Sequence, residues 1–256
     1  MGKRIVLWGI ICCCLVPPAW AEELWISYFS DPGHIGIAHA GQRPQGPLVE
    51  LLEDHISARM GVALKWQDHP SNIPRIIDSL IRGRVDLTPL LVYTEERAKA
   101  MAFTAKPYYR SQPAIVVRAD SPLTAVEGLE DILDLTIGYA RGTFVSPFMR
   151  DPKIRFDMNP LSDFMISNLK KVAGKRIDAA YAPDKVGLLM SIRALGMDGR
   201  LRCINLPEKT IPFYVVFSPA RASDGWVEKY NAAFDVLEAD KLYLKLLLKY
   251  VDAGQL

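Results

Sequence analysis

Two short stretches carry charge that local structure alone does not explain. In Thr94-Glu95-Glu96-Arg97, Thr94 stands where a helix N-cap is wanted, its hydroxyl available to a free backbone N–H. Glu95 and Glu96 then fall in the first turn, where the helix dipole favours negative charge. Arg97 gains nothing from that dipole, so its guanidinium has another partner. A neighbouring acid such as Glu96 is one choice. A bound anion is the other, because a guanidinium offers two parallel N–H donors to a carboxylate. The second stretch is Arg141-Gly142-Thr143, between a strand ending at Tyr139 and a segment read as helical. Exposed N–H groups at such a helix start suit an anion, and Thr143 serves equally as an ordinary N-cap. Asp184 precedes a helix over 185–195 and reads as its cap.

Other chemistries find less support. Asp31, His34, Glu50 and Asp184 are conceivable general acids, but none forms a recognisable pair in sequence. His34, His39, His55 and His69 lack metal-ligand spacing. There is no nucleophile elbow, phosphate-binding glycine loop or Cys-x-x-Cys. Of the four cysteines, Cys12 to Cys14 lie in the N-terminal apolar run. Cys203 reads as a small buried hydrophobe, and alone it permits no intramolecular disulfide.

These residues need elements to hold them. Apolar spacing predicts a strand over 24–29, an aperiodic loop over 30–45 and a helix over 47–60 that stops at Gly61. A strand over 62–66, a helix over 72–82 and a buried strand over 85–91, interrupted by Pro89, follow. Strands alternating with helices indicate βαβ units and a mostly parallel α/β sheet. Residues 113–118 form a strand, 126–133 a short helix, 135–139 a strand, 163–173 a helix and 177–181 a strand. A strand over 211–219 and one or two helices over 226–250 close the chain. Phe103 and Pro107-Tyr108-Tyr109 read as core packing.

The N-terminus reads as an export signal. Lys3 and Arg4 precede an apolar run over 5–16, and Ala19-Trp20-Ala21 gives a small-x-small cleavage site after Ala21. The run is shorter than the about 20 residues of a spanning helix. Gly9-Ile10-Ile11 before the cysteines make a poor lipoprotein signal. Residues 1–21 hold two of the 31 basic residues and no acid, which leaves 29 Lys and Arg against 29 Asp and Glu. That balance gives no electrostatic case for nucleic acid or an anionic membrane.

Three stretches in order, RGRVDLTPLLVYTEERAKAMAFTAKPYY, VVRADSPLTAVEGLEDILDLTIGYARGT and GKRIDAAYAPD, resemble the family-3 extracellular solute-binding proteins over essentially the whole mature chain. The resemblance implies an α/β, two-lobed periplasmic-binding-protein fold (type II) with two crossover strands and a ligand cleft. Lobe 1 would take residues 22–117 with 208–256, and lobe 2 residues 118–207. It implies a periplasmic, monomeric, non-enzymatic receptor without a cofactor or metal, serving an inner-membrane ABC permease or a sensor.

By the same resemblance Arg97 would hold the ligand carboxylate, with Arg141, Gly142 and Thr143 facing it from lobe 2. Asp184 would take an α-ammonium, and Tyr28, Leu90 and Tyr93 would line the pocket. The chain departs from the family where Leu90 and Val92 replace small hydroxyl residues, where Phe144 follows Gly-Thr, and where Gly46-Pro47-Leu48-Val49-Glu50 replaces the usual acidic first loop. A more apolar pocket follows, and with it a carboxylate ligand with an apolar or aromatic part. Two alternatives stay open: a dehydratase-like enzyme on the same scaffold, and a degenerate receptor that works through protein contacts.

Overall fold

The computed structural model describes residues 22–37, 42–238 and 241–252. The export segment and His39 lie outside these residues. The chain begins with β1 (Glu23–Ile26), which buries Leu24 and Ile26 and turns Glu23 and Trp25 outward. A continuous helix α1 follows, built from Pro47–Glu50, a wider π-helical stretch Leu51–Ser57, and Ala58–Met60. Gly61, at φ +69°, ends it in the left-handed conformation that glycine adopts without cost. After β2 (Ala63–Trp66), α2 (Ile73–Ile81) starts on an Asn72 cap that accepts the Arg75 N–H, with Pro74 in its first turn. Next come β3 (Leu87–Val92), the short α3 (Glu95–Ala98), β4 (Ala102–Phe103) and β5 (Tyr109–Ser111).

The second half brings β6 (Ala114–Arg118), β7 (Thr136–Ala140), β8 (Arg155–Asn159), α4 (Phe164–Ala173), β9 (Ala179–Ala182), α5 (Lys185–Ala194) and β10 (Leu201–Asn205). The chain then returns through β11 (Ile211–Phe217) to α6 (Pro219–Ser223), α7 (Trp226–Glu238) and α8 (Leu242–Asp252). Two sheets result. One runs β2-β1-β3-β11-β4, with β5 also on β11, and the other β10-β6-β9-β7-β8. In the first sheet β1, β2 and β3 are parallel, and in the second β7, β8 and β9 are. β11 runs antiparallel to β3, as β6 does to β9.

The structure differs from the sequence expectation in three places. The boundary expected at 117/118 falls inside β6, which pairs with β9 and β10 in the second sheet. The chain therefore changes sheets just before residue 114. The helical segment expected after Thr143 is a single 3-10 turn, Pro147–Arg150, bounded by Ser146-Pro147 and Asp151-Pro152, since a residue before proline avoids the helical region. The short helix expected over 126–133 shrinks to Leu129–Asp131. The strands β4, β5, β8 and β10 escaped notice because they are short or half-exposed, and pairing with a neighbour rather than alternation makes them strands.

Pro89 has a consequence inside β3. It cannot donate to the ladder, and the pairing of β3 with β11 loses register between Tyr214 and Val216. Leu90 beside it takes φ +65°, a left-handed conformation costing a leucine about 1–2 kcal/mol. That strained residue is buried at the floor of the cleft between the sheets.

Candidate functional site

Several contacts join the two sheets across the cleft. The Ser30 N–H donates to the Ser162 carbonyl at 3.0 Å, and Phe29 packs on Phe164 with ring centroids 5.2 Å apart. Between them lies a cavity of about 40 Å³. One water needs about 10–15 Å³ by this measure, so the space holds roughly three waters and no amino acid. Its walls are largely apolar, with Phe29, Leu90, Phe144, Phe164, Met165 and Phe213 among them.

Arg97 is the one cation on those walls among the described residues. Thr94 caps α3 as its sequence requires, accepting the Arg97 N–H at 3.1 Å. This cap sets the helix start and aims the Arg97 side chain into the cleft. Its guanidinium donates to the Val92 carbonyl at 2.8 Å and, across the cleft, to the Gly142 carbonyl at 2.7 Å. Among the described residues it makes no ion pair with a carboxylate, so the pairing with Glu96 does not form. Burial pulls its pKa below the ordinary value, with Tyr139 and Glu96 opposing, yet a guanidinium keeps its charge. Among the described residues its side-chain hydrogen bonds go to carbonyl dipoles and not to a carboxylate.

The cavity lining also carries two acids, Asp31 and Asp184. Asp31 begins a tight turn and accepts the N–H groups of Gly33 and His34 at 3.0 and 3.1 Å. That turn buries His34 completely. Its Nε2 lies 2.6 Å from Asp184 Oδ2 and its Nδ1 2.6 Å from the Tyr243 hydroxyl. An imidazolium satisfies both contacts as donor. Asp184 also caps α5, accepting the Gly187 N–H at 3.1 Å, and accepts the Tyr109 hydroxyl at 3.1 Å.

Burial disfavours charge throughout this cluster. It lifts Asp31 above the usual carboxylate range, with His34 opposing. At His34 burial pulls the pKa down, but Asp184 and Asp31 outweigh it and hold the imidazole above its ordinary value. At Asp184 burial pushes up, and His34 with the surrounding donors wins, holding it below the usual range. The cluster thus favours an ion pair between His34 and Asp184 that spans the two halves of the molecule.

Close backbone approach makes this pair possible. A Cβ on Gly33 would stand 2.7 Å from the Gly187 carbonyl oxygen and 3.0 Å from the Gly187 Cα. Gly33 is not in the left-handed region, so Gly33→Ala tests contact alone. Overpacking typically costs about 1–3 kcal/mol. Thermal unfolding of Gly33→Ala should show a loss of that order, and an unchanged midpoint would contradict the approach of the two loops.

The sequence candidates divide in two. Leu90, Arg97, Thr143 and Asp184 line the cavity, and Gly142 meets it through its carbonyl. Tyr28 is instead a core residue, packed edge-on against Trp66, because β1 ends before it and turns it inward. Tyr93 is 47% exposed and packs on Phe103 and Tyr214 away from the cavity. Arg141 is exposed and lines no wall of it. The anion site expected at a helix start after Thr143 does not form. The 3-10 turn there starts only after Ser146, and the Arg141 and Thr143 N–H groups already bond to the Asn159 and Ala140 carbonyls.

Three further differences concern chemistry. Asp31, His34 and Asp184 do come together, although sequence shows no pair among them; Glu50 goes elsewhere, to Lys249 at 2.8 Å. Tyr109, read as core packing, reaches the site through its hydroxyl. Cys203 is partly buried, and burial pushes its thiol up to about 12, which leaves no thiolate at neutral pH. Among the described residues no group of three or more His, Cys, Asp and Glu could hold a metal, and no helix is long and apolar enough to cross a membrane.

A family model described as bacterial extracellular solute-binding proteins, family 3, matches residues 35–253. Among solved structures the chain is similar to an ancestral arginine-binding protein bound to arginine, at 20% identity over 89% of this chain and 97% of that one, with a TM-score of 0.73. It is similar to the amino acid ABC transporter substrate-binding protein AbpA from Streptococcus pneumoniae bound to L-arginine, at 18% identity over 91% and 95%, TM-score 0.73. A histidine kinase sensor domain with similarity to periplasmic binding proteins aligns at 19% identity over 90% and 96%, TM-score 0.73. At such identities these likenesses show the fold. No curated protein matches the chain.

Proposed function

The chain belongs to the bacterial extracellular solute-binding proteins, family 3, and on that premise we propose that it is a non-enzymatic receptor for a small carboxylate-bearing ligand. The ligand is an amino acid or a related acid with an apolar or aromatic body, held in the cleft between two lobes. The observation that carries this reading is Arg97: a half-buried guanidinium on an otherwise apolar wall, with no anion to pair with. A carboxylate offers it the bidentate partner that two separate carbonyls do not. The apolar body of the ligand is supported by Leu90, Phe144 and Phe164 around it.

The cavity of about 40 Å³ fits a closed state, so capture requires the lobes to part and close again by a hinge motion. We place the crossings near residues 112–113 and 206–210, where the chain leaves one sheet for the other. The receptor acts as a monomer outside the cytoplasm, and its partner is an ABC permease or a sensor. The aligned structures include proteins of both kinds.

A second reading has its own observation. Arg97 and Asp184 are already satisfied by the chain's own groups, as expected of a receptor that has given up its solute and works through protein contacts. The His34–Asp184 pair does not support catalysis, because both ring nitrogens are engaged and the imidazole is fully buried.

The two readings separate in a thermal-shift panel of aliphatic and aromatic acids with their amino-acid counterparts, on protein refolded to strip any carried ligand. A ligand at 100 times its Kd stabilises by about 2.7 kcal/mol. A hit among the acids supports the receptor, and a flat panel at millimolar concentrations overturns it in favour of the protein-contact reading.

A further inference from the structure

Resting on that reading, we propose that His34 sets the ligand class: the cleft takes small apolar carboxylates that lack an amino group in preference to amino acids. The place on Asp184 that a ligand ammonium needs is filled from within the chain.

The inference rests on how the two acids of the cavity wall are used. Asp184 Oδ2 takes His34 Nε2 at 2.6 Å, while Oδ1 takes the Tyr109 hydroxyl and the Gly187 N–H, both at 3.1 Å. Asp31 spends Oδ1 on two backbone N–H groups of its own turn. Its charge faces the same imidazole, and burial presses its carboxyl toward the neutral form. Among the described residues no other acid lines the cavity. His34 itself does not reach the cavity surface: it is fully buried behind Asp184 and anchored on Tyr243. A ligand entering from the cleft therefore meets an Asp184 already compensated from behind by His34.

An ammonium brought to Asp184 loses its water and finds both carboxylate oxygens already engaged. The penalty for a polar group left unpaired on burial corresponds to about ten- to a hundredfold in affinity. A ligand that carries only a carboxylate avoids it and pairs with Arg97, the one cation of the lining among the described residues. An apolar chain then faces Phe164 and Met165 rather than a demand for charge.

The test is calorimetric titration of the stripped protein with matched pairs: 3-phenylpropionate against L-phenylalanine, and 4-methylpentanoate against L-leucine. The wild type should bind the amino-free acid about ten- to a hundredfold more tightly. His34→Gln, which cannot carry charge, should shift that ratio toward the amino acid. A wild type that binds the amino acid equally or better overturns the inference and leaves the carboxylate receptor standing. A ratio unmoved in His34→Gln removes the role of His34. Binding of neither member at millimolar concentration sinks the receptor reading itself. The wild-type ratio decides the ligand class even if the variant fails to fold.

Discussion

Asp184→Ala is expected to lower the stability of the protein by about 3–5 kcal/mol near pH 6, the range for removing one partner of a buried ion pair. Calorimetry or denaturant unfolding measures it directly. For a chain of this size such a loss moves the melting midpoint by roughly 6–20 °C. The effect is large because three contacts go at once. The His34 imidazole loses its partner at 2.6 Å, Tyr109 loses its acceptor, and α5 loses the cap on Gly187. Removing one partner also leaves the other buried and uncompensated. Asp184→Asn keeps the shape and the cap, so it should lose less. An Asp184→Ala midpoint within a degree or two of wild type would show that the pair contributes nothing.

The same pair gives stability a pH signature. His34 is held above its ordinary value, so its contribution is complete below about pH 6.5 and fades as pH rises through the raised value. Asp184 is held below its ordinary value, so its contribution is present above about pH 4 and fades as pH falls. The pair is worth most between about pH 4 and 6.5. Asp31, lifted by burial, adds a slope of the same sign as His34 from about pH 4 upward. Tyr109 and Tyr243, raised by burial, stay protonated throughout. Wild type should therefore lose stability above about pH 6.5 relative to His34→Gln. Parallel curves for the two proteins would place the charge elsewhere.

Arg97→Ala carries the second large effect, on binding. Hydrogen bonds to a charged group contribute about 1.5–3 kcal/mol each, and a bidentate pair makes two of them. The loss converts to roughly a hundredfold to ten-thousandfold in Kd. Arg97→Lys keeps the charge and loses the fork, so it should fall between. A stability cost accompanies Arg97→Ala, since the Val92 and Gly142 carbonyls lose their donor. Binding must therefore be measured well below the midpoint of the variant.

Much of this site was legible because local rules set it. Thr94 announces a helix start, and a cation in the first turn there demands an explanation that the dipole does not supply. Asp184 announces another cap. Pro89 marks the break in β3 that bends Leu90 into the cleft floor. The fold class followed from strands alternating with helices, and from motifs in family order. What stayed hidden depends on distant approach. His34 and Asp184 are 150 residues apart, His34 and Tyr243 are 209 apart, and no periodicity links them. Residues 30–37 look like a plain loop, yet Asp31 folds them into a turn that buries a histidine. The one local trace of that contact is a glycine on each side, Gly33 in the turn and Gly187 in the first turn of α5, where a side chain would collide. Tyr28, Tyr93 and Arg141 show the opposite failure: a place beside a motif says nothing about which way a side chain points.

The most direct test of the receptor is calorimetric titration of refolded wild type and Arg97→Ala with the acid that shifts the melting midpoint most. The expected result is saturable one-to-one binding in wild type, weakened at least about a hundredfold in a folded Arg97→Ala. Equal affinity in the two proteins would contradict the account, because the ligand would then bind without the one cation that lines the cavity among the described residues.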